Sequence, residues 1–465
     1  MTRPEIRQIT EDEKQIQERY IASVKEILPH SLKYNIVTLG CQMNVHDSEV
    51  MAGMLDEMGM TMCENREDAD LIIYNTCCVR ENAENKALGN VIWLKELKAV
   101  KPDLIIGVGG CMTQQPGVIE RIKVMYPFID LAFGTHNMYK LPEMIYRLIA
   151  KRQRVFEYDT SDGTICEGLP VRRNSSFSAY INIMYGCNNF CTYCIVPYVR
   201  GRERSREQQA ILDEAKALRD QGVKEIMLLG QNVNSYQGGG TRFAELLYQI
   251  NRLGIPRIRF MTSHPKDISP ELIACFSELE HLCKHLHLPV QAGNNDILRA
   301  MNRRYTREAY IEKVKDIRRV CPDIGLTSDI IVGFPGETPE QFEDTMSLVE
   351  QVRFDAAFTF VYSPREGTIA AKLPDHTTAE EKSQRIQRLI ALQQSITSDV
   401  CESMIGTVQE VLLEGVSARD DHMICGKTGR RHMVNFEGDR DLIGRFARVR
   451  IVSAGKSTLR GQLID

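Results

Sequence analysis

Short apolar runs alternate with segments of helical spacing along most of this 465-residue sequence. In the first third, the runs at 34–40, 69–75, 103–109 and 129–134 each precede a segment whose apolar residues recur every three or four positions. Strands that alternate with helices predict βα units and a parallel sheet. Because such sheets bind ligands at the carboxyl ends of their strands, we expect an α/β fold whose functional residues follow the strands.

A second alternation contains six further apolar runs, and a long helical stretch at about 377–403 follows it. The runs lie at 180–185, 225–230, 257–262, 284–290, 325–333 and 356–362. Six βα units are too few to close an eight-stranded barrel. We therefore predict an incomplete (β/α)6 barrel with its active site at the C-terminal ends of the strands.

The tail at 404–465 is rich in Val, Ile, Gly and Arg and contains five short strand-like runs. This pattern is typical of a small five-stranded β-barrel of the OB-like kind. The tail has ten Lys and Arg against eight Asp and Glu, whereas the whole chain has a net charge of -4. A nucleic acid partner must therefore be met by local basic patches, although a solvated surface explains such a patch equally well.

The length predicts about three domains at roughly 150 residues each. We place an N-terminal domain at 34–165, the partial barrel at 173–402 and the small β-barrel at 403–465, with a charged extension at 1–33 that adds little to the fold. The stretch at about 151–176 is either a linker or a crossover of paired strands. No apolar stretch approaches the roughly 18 residues of a membrane span, and the N-terminus lacks the apolar core of a signal peptide. We expect a soluble, cytoplasmic protein with no membrane partner.

The chain has 14 cysteines and no secretory signal, so clustered cysteines point to metal binding or chemistry. Cys41, Cys77 and Cys111 directly follow three consecutive predicted strands. Neighbouring parallel strands lie about 4.8 Å apart, so the three sulfurs can converge on one polynuclear centre. The alternative is three small buried hydrophobic residues, but the repetition in three units favours ligands. Cys78 adjoins Cys77 outside the strand-end position, and we expect it to pack.

Three more cysteines, Cys187, Cys191 and Cys194, form a C-x3-C-x2-C loop after the first strand of the barrel. Three thiolates on one loop can hold three irons of a 4Fe–4S cube and leave the fourth iron open. A zinc site would need a fourth ligand nearby, and no Cys or His follows within 50 residues. The other eight are expected to be packing or surface thiols: Cys63, Cys78, Cys166, Cys275, Cys283, Cys321, Cys401 and Cys425.

His and Cys residues also alternate along the fourth predicted strand of the barrel. They are His281, Cys283, His285 and His287. They are either metal ligands or simply one face of a barrel strand, and we favour the second interpretation.

The cysteine loop in this context resembles the radical S-adenosylmethionine (SAM) superfamily. The segments LGQN at 229–232, LPVQ at 288–291 and IIVGFPGE at 330–337 stand after the second, fourth and fifth strands, where members of that superfamily contact SAM. The resemblance implies a set of SAM contacts: Tyr193, Gly230, Gln231, Gln291, Ile331 and Gly333.

Residues 34–465 as a whole resemble the radical SAM methylthiotransferases, which carry an N-terminal three-cysteine domain and a C-terminal TRAM domain. Five stretches resemble the tRNA-modifying type that makes 2-methylthio-N6-isopentenyladenosine: GCQMN at 40–44, NTC at 75–77 with VR at 79–80, GRERSR at 201–206, RIRF at 257–260 and TSHP at 262–265. The type that modifies a ribosomal protein typically has Pro-Lys where this chain has Gln42-Met43. The type that modifies threonylcarbamoyl-adenosine lacks the Ser-His-Pro element.

This resemblance implies two 4Fe–4S clusters and two SAM molecules per turnover. Cys187, Cys191 and Cys194 would hold the cluster that cleaves SAM to a 5′-deoxyadenosyl radical. The strand-end triad would hold an auxiliary cluster that supplies the sulfur for insertion at C2 of the adenine. The implied partners are the tRNA anticodon stem-loop and an electron donor such as a flavodoxin or ferredoxin, and we expect a monomer.

Two basic groups are candidate RNA contacts, since RNA-binding proteins contact phosphates through such side chains. They are Arg200, Arg202, Arg204 and Arg206 after the cysteine loop, and Lys427, Arg430 and Arg431 in the tail. Alternatively, Arg200 or Arg202 pairs with Glu203 or Glu207 in a structural network.

Two other functions and one misleading motif complete the alternatives. One alternative is a methylthiotransferase for a ribosomal-protein aspartate or for threonylcarbamoyl-adenosine in tRNA. The other is a non-catalytic RNA-binding protein with zinc at both triads. The segment AGKST at 454–458 resembles the end of a phosphate-binding P-loop, but the motif needs Gly where Arg450 stands, and it follows no strand-to-helix pattern. We reject ATP binding.

Overall fold

The computed structural model describes residues 7–28, 30–78, 81–159, 163–418 and 420–464, with the backbone alone at 81–88. Val79 and Arg80 of the second family stretch lie outside the described residues. The chain divides into two compact units. The first comprises Met1–Asn174, Met184–Asn188 and Cys194–Arg206, and the second comprises Ser175–Ile183, Asn189–Tyr193 and Glu207–Asp465.

A six-stranded parallel sheet forms the centre of the first unit. Across the sheet its strands are β2 (Thr61–Met62), β1 (Lys33–Leu39), β3 (Leu71–Thr76), β4 (Ile105–Gly110), β5 (Leu131–Gly134) and β6 (Val155–Glu157). Leu71 and Ile73 face one hydrophobic core, while Ile72 and Tyr74 face another on the opposite side of the sheet. Burial on both faces explains why these strands are continuously apolar rather than alternating.

Helices cover both faces of this sheet. They are α1 (Glu11–Ile27), α2 (Gln42–Glu57), α3 (Glu81–Val100), α4 (Val118–Met125) and α5 (Leu141–Lys151). Later parts of the chain add the short helix α6 (Val196–Val199) and the antiparallel strand pair β8 (Met184–Tyr185) and β9 (Arg204–Ser205) to this unit.

The expectation that residues 1–33 add little to the fold is wrong for α1. Its N-terminus has a complete capping box between Thr10 and Glu13, and Val24 is fully buried in the core that α2 and α5 also form. The stretch at 151–176 likewise contributes β6, an edge strand of the sheet.

The second unit contains an open arc of six parallel strands, as predicted for the partial barrel. One half is formed by β7 (Ser178–Asn182), β10 (Glu225–Leu229) and β13 (Arg257–Phe260), and the other by β14 (His285–His287), β15 (Gly325–Val332) and β16 (Ala356–Val361). A parallel bridge between Ile258 and Leu282 joins the two halves. The fourth strand is three residues long, shorter than the run at 284–290 predicted.

Helices follow these strands, and a short antiparallel pair lies between the second and third. The helices are α7 (Gln208–Asp220), α8 (Phe243–Asn251), α9 (Pro270–Glu278), α10 (Asn295–Ala300), α11 (Arg307–Val320), α12 (Pro339–Val352) and α13 (Ala379–Glu402), and the pair is β11 (Gln237–Gly238) with β12 (Thr241–Arg242).

The tail of the second unit is a closed five-stranded barrel, as its pattern predicted. In barrel order the strands are β17 (Val408–Ser417), β18 (Asp420–Thr428), β19 (Met433–Glu437), β21 (Thr458–Leu463) and β20 (Phe446–Ala454). The P-loop-like segment is the turn between antiparallel β20 and β21, so no helix follows it. Among the described residues, no helix is long and apolar enough to cross a membrane.

Candidate active site

The three strand-end cysteines of the first unit lie beside one another. Cys41, Cys77 and Cys111 follow β1, β3 and β4, which pair in register at Leu39, Thr76 and Gly110. The backbone N–H of Cys77 donates to the Leu39 carbonyl at 2.8 Å, and that of Cys111 donates to the Thr76 carbonyl at 2.8 Å. Each cysteine is thereby attached to the end of the neighbouring strand.

Two buried, mutually hydrogen-bonded asparagines lie beside these thiols. Asn44 accepts a hydrogen bond from the Cys41 thiol at 3.5 Å, and its amide lies 4.0 Å from the Cys111 sulfur. Asn75 accepts from the Asn44 amide at 3.1 Å and donates to the Asn44 carbonyl at 2.7 Å. The family stretches that contain these asparagines therefore shape the ends of β1 and β3.

Arg200 is buried against the same triad. Its Nε donates to the Cys111 sulfur at 3.2 Å, and its Nη2 donates to Asp47 at 2.6 Å. A hydrogen bond with the Cys78 thiol and the positive charge of Arg200 lower the pKa of Cys111 to about 6, against the opposing effect of burial. Burial of the sulfur and the nearby Cys111 raise the pKa of Cys41. Cys78, expected to pack, is fully buried beside Cys111.

The arginines after the cysteine loop were predicted to contact RNA, but three of the four are buried in the first unit. Arg204 donates to the carbonyls of Arg200 and Arg202, and Arg206 makes a two-pronged ion pair with Glu167. Arg200, Arg204 and Arg206 are each less than 8 % exposed, so we withdraw them as RNA contacts. Arg202 is exposed. The alternative network is corrected for Arg200, which pairs with Asp47 rather than with Glu203 or Glu207.

The C-x3-C-x2-C loop is shaped by glycine at its start and by arginine at its centre. Gly186 has φ +76°, and a Cβ there would overlap the Arg202 carbonyl. The next N–H, that of Cys187, donates to the Gly201 carbonyl at 3.1 Å. In the second unit, Arg303 donates to the Cys191 sulfur at 3.3 Å and to the Pro289 carbonyl at 2.8 Å. Arg303 belongs to none of the sequence motifs described above, so its contact with the cysteine loop was not predicted.

The residues expected to contact SAM follow the strands of the partial barrel. Gly230 and Gln231 follow β10, and Gln291 follows β14 with a left-handed φ of +73°. Ile331 lies at the end of β15, and its N–H donates to the Gln291 carbonyl at 2.8 Å. Gly333 has φ +67° and donates its N–H to the buried Glu337 at 2.7 Å. Tyr193 packs against the cluster that contains Phe334 and Tyr362.

The turn between β18 and β19 docks on the partial barrel, and this engages two of the three basic residues predicted for the tail. Arg257 and Arg259, from the RIRF stretch, donate to the carbonyls of Lys427, Thr428 and Gly429 at 2.7–2.9 Å. Arg430 pairs with Asp355 at 2.7 Å, and Arg431 donates to the Met261 sulfur at 2.8 Å. We therefore assign Arg430 and Arg431 to domain docking. Lys427 pairs with Glu414 but keeps 31 % of its side chain exposed.

Two histidines of the fourth strand have a threonine hydroxyl as their hydrogen-bond partner. His285 and His287 both contact the Thr327 hydroxyl, at 3.2 and 3.0 Å. Burial, together with Arg431 and Arg259, lowers the pKa of His285 well below its usual value. Within the part of the chain that the structure describes, no three His, Cys, Asp or Glu side chains are placed to hold a single metal ion.

Comparison with known proteins agrees with this architecture. Residues 33–134 match the uncharacterized protein family UPF0004, residues 181–349 match the radical SAM superfamily and residues 402–464 match the TRAM domain. A tRNA-2-methylthio-N(6)-dimethylallyladenosine synthase of Thermoanaerobacter sp. is 51% identical over 98% of both chains. The synthase of that name from Acetivibrio thermocellus is 50% identical over 98% of this chain and 97% of its own. The chain belongs to the family of these synthases.

A solved structure shows the same fold at much lower identity. The radical SAM methyltransferase TsrM of Kitasatospora setae, with cobalamin and a [4Fe-4S] cluster bound, superimposes with a TM-score of 0.54 at 15% identity, over 73% of this chain and 74% of its own. The predicted fold class is confirmed: an N-terminal parallel α/β sheet, a radical SAM partial barrel and a TRAM barrel.

Membership in the radical SAM superfamily implies an enzyme that uses a 4Fe–4S cluster and SAM. The donor set of this chain fits such a group, because iron–sulfur clusters are held by cysteine thiolates. The contact of Arg303 with the Cys191 sulfur supports this fit, since a buried cation stabilises thiolate charge.

Proposed function

We propose that this enzyme inserts a methylthio group at C2 of N6-isopentenyladenosine beside the tRNA anticodon. The observation that carries the proposal is the presence of two separate cysteine triads. One lies at the ends of three paired strands, and the other lies on the loop that follows the first strand of the partial barrel. The chain is also about half identical to synthases named for that product. The Gln42-Met43 and Ser263-His264-Pro265 stretches favour this substrate over the ribosomal-protein and threonylcarbamoyl-adenosine alternatives.

The two triads have different duties in this proposal. Cys187, Cys191 and Cys194 hold the cluster that binds SAM, and Cys41, Cys77 and Cys111 hold an auxiliary cluster. Together with two SAM molecules per turnover, these groups supply electron transfer, a carbon radical, a sulfur atom and a methyl group. The protein positions SAM, the adenine and the auxiliary site and excludes water.

Buried arginines stabilise the negative charge of both triads. Arg200 donates to Cys111 and is itself neutralised by Asp47. Arg303 donates to Cys191 and is held by Pro289 and Tyr305. Hydrogen bonds to a thiolate sulfur tune its electronic properties, so each arginine is a positioning residue for its triad.

The remaining contacts are proposed from the strand ends and the exposed charges. Tyr193, Gly230, Gln231, Gln291, Ile331 and Gly333 contact SAM. Of the basic residues, the exposed Arg202 and the half-exposed Lys427 contact the phosphates of the anticodon stem-loop. The protein acts as a cytoplasmic monomer and receives electrons from a flavodoxin or ferredoxin. The domains extend over 34–165, 173–402 and 403–465.

Iron analysis of triad variants tests the assignment of the two clusters. Anaerobic reconstitution of the wild-type protein with iron and sulfide should give about eight irons per chain. Replacing Cys41, Cys77 and Cys111 by Ala, or Cys187, Cys191 and Cys194 by Ala, should each leave about four. A matched variant with Cys63, Cys166 and Cys425 replaced should retain all eight. Tightly held zinc, or the same iron content in all four proteins, would contradict the proposal.

A further inference from the structure

The segment between β13 and α9 has a strained backbone where it enters the mouth of the partial barrel. Thr262 has a φ of +69°, a left-handed conformation that is rare for a β-branched residue. Such strain persists only where surrounding contacts impose it, and it concentrates at functional sites. Thr262 lies directly before Ser263 and His264.

Hydrogen bonds with Val233 and Asn234 hold this segment in place. Asn234 accepts from the His264 N–H at 2.9 Å and donates to the His264 carbonyl at 2.9 Å. The Val233 N–H donates to the Thr262 carbonyl at 3.0 Å. On the His264 ring, Nδ1 accepts from the Lys266 N–H at 3.2 Å. Because Nδ1 is an acceptor, the proton of the neutral ring lies on Nε2, which is therefore a donor.

Two polar atoms of this fixed segment lack a partner within the described structure. They are the His264 Nε2 and the Ser263 Oγ, and both residues are 5% exposed. The Asn232 Oδ1 is also unpartnered, although its amide nitrogen is bound to Asp267 at 2.9 Å. Buried polar groups are almost always hydrogen-bonded, so two exceptions on consecutive residues of one rigid segment point to a ligand that completes them.

The surroundings connect these atoms with the cysteine loop and define the kind of ligand. The His264 ring meets the Tyr305 ring edge to face at 5.7 Å, and the Tyr305 hydroxyl accepts from Arg303, which also binds Cys191. Arg303 already donates to four protein acceptors, Cys191, Tyr193, Pro289 and Tyr305, so little of its donor capacity is left for an anion. Burial and the nearby positive charges lower the pKa of His264 to about 2. A neutral donor beside an aromatic ring suits a neutral heterocycle better than a phosphate or carboxylate.

We propose that Ser263 and His264 bind the edge of an adenine, with the His264 Nε2–H donating to a ring nitrogen and the Ser263 hydroxyl contacting a second polar atom. This inference rests on the proposed function, which brings two adenines to the barrel: that of SAM and that of the tRNA. Of the residues expected to contact SAM, Ile331 lies at the end of β15 and Gly333 directly follows that strand. We assign the SAM adenine to these two residues, and β15 lies two strands away from β13. The pair therefore binds the target base of the tRNA and determines specificity for it.

Two variants of His264 separate the donor from the structural role of the ring. In His264→Asn, the amide oxygen can still accept from the Lys266 N–H, but the Nε2 donor is lost. In His264→Gln, the longer amide can place an N–H near the former Nε2 position. Both proteins would be reconstituted with iron and sulfide, and their iron content and melting temperature would be compared with those of the wild type. Ser263→Ala provides a second, independent variant.

Two assays distinguish the two sources of adenine. The first measures the Kd and KM for a synthetic anticodon stem-loop that carries isopentenyladenosine. The second measures SAM binding and 5′-deoxyadenosine release without RNA. We expect His264→Asn to weaken stem-loop binding by about 5- to 100-fold, as for a buried group left unpaired, to leave SAM binding within twofold of wild type, and to be partly rescued in His264→Gln.

The remaining outcomes overturn the inference. Unchanged stem-loop binding in both His264→Asn and Ser263→Ala would show that the pair does not bind the tRNA base. A loss of SAM affinity with unchanged RNA binding would assign the pair to the SAM adenine instead. Absence of methylthiolation by the wild-type enzyme would refute the proposed function itself, and stem-loop binding, which is measured separately, would still test the adenine site.

Discussion

Breaking the buried ion pair between Arg200 and Asp47 should destabilise the first unit strongly. The Nη2 and Oδ2 atoms are 2.6 Å apart, and each side chain is only 7% exposed. Removing one partner leaves an uncompensated buried charge or an unfilled site, which costs about 3–5 kcal/mol. We expect Asp47→Ala and Arg200→Met each to lose stability in this range. In the double variant, the loss of stability should be smaller than the sum of the two single losses by at least about 2 kcal/mol, because the members of the pair are coupled.

The single tryptophan of the chain makes this measurement specific to the first unit. Trp93 lies on α3 and is the only tryptophan in the sequence, so its fluorescence follows the unfolding of that unit in urea. With an m-value of about 2 kcal/mol per M, a loss of about 3 kcal/mol lowers the midpoint by about 1.5 M. Arg202→Met is the matched control, since Arg202 is exposed and such substitutions change stability by about 0.5 kcal/mol or less. Equal effects at positions 200 and 202, or additive effects in the double variant, would refute the structural role of Arg200.

Four further predictions follow from other parts of the molecule. Gly186→Ala should prevent assembly at the C-x3-C-x2-C loop, because of its positive φ and the overlap with the Arg202 carbonyl; iron should fall from about eight to about four per chain, and full iron content would contradict this. Burial and the positive charges of Arg204 and Arg200 lower the pKa of His136 to about 4. As pH falls, the unfolded chain therefore binds a proton at this histidine before the folded chain does. The free energy of unfolding of the first unit should decrease by up to about 3 kcal/mol between about pH 6.5 and about pH 4. Tryptophan-monitored unfolding at several pH values checks this, and His136→Gln should flatten the profile. Ser263→Ala should raise the stability of the second unit by about 1 kcal/mol, since it removes a buried hydroxyl without a partner; calorimetry that showed a loss would contradict the burial argument. Arg202→Met should reduce the slope of log affinity for the stem-loop against log salt by about one, whereas Arg206→Met, at a buried position, should leave the slope unchanged.

The order of strands and helices was predictable because burial imposes a periodic pattern on the residues of each element. The parallel sheet buries both faces of β3 and β4, so these strands appear in the sequence as continuous apolar runs. Helix α1 was underestimated because its surface is mostly charged and only a few side chains, such as Val24, are fully buried. The strand-end cysteines were found because three βα units repeat the same position.

The arginines show what the sequence could not reveal. Arg200 and its partner Asp47 are 153 positions apart, and Arg303 lies 112 positions from Cys191, so no local pattern distinguishes them from surface arginines. In the tail, the turn at 427–429 is bound through its carbonyl groups, which every residue has. The prediction that Arg430 and Arg431 contact RNA therefore rested on charge alone, and it could not anticipate their contacts with Asp355 and Met261.

The most direct test of the proposed activity is mass spectrometry of the modified nucleoside formed by the purified protein. Wild-type enzyme with both clusters, SAM, a reductant and an anticodon stem-loop carrying isopentenyladenosine should form 2-methylthio-N6-isopentenyladenosine. The variants lacking either cysteine triad should form none. An unmodified stem-loop with the fully loaded enzyme, or product formation without the triad of Cys41, Cys77 and Cys111, would contradict the account.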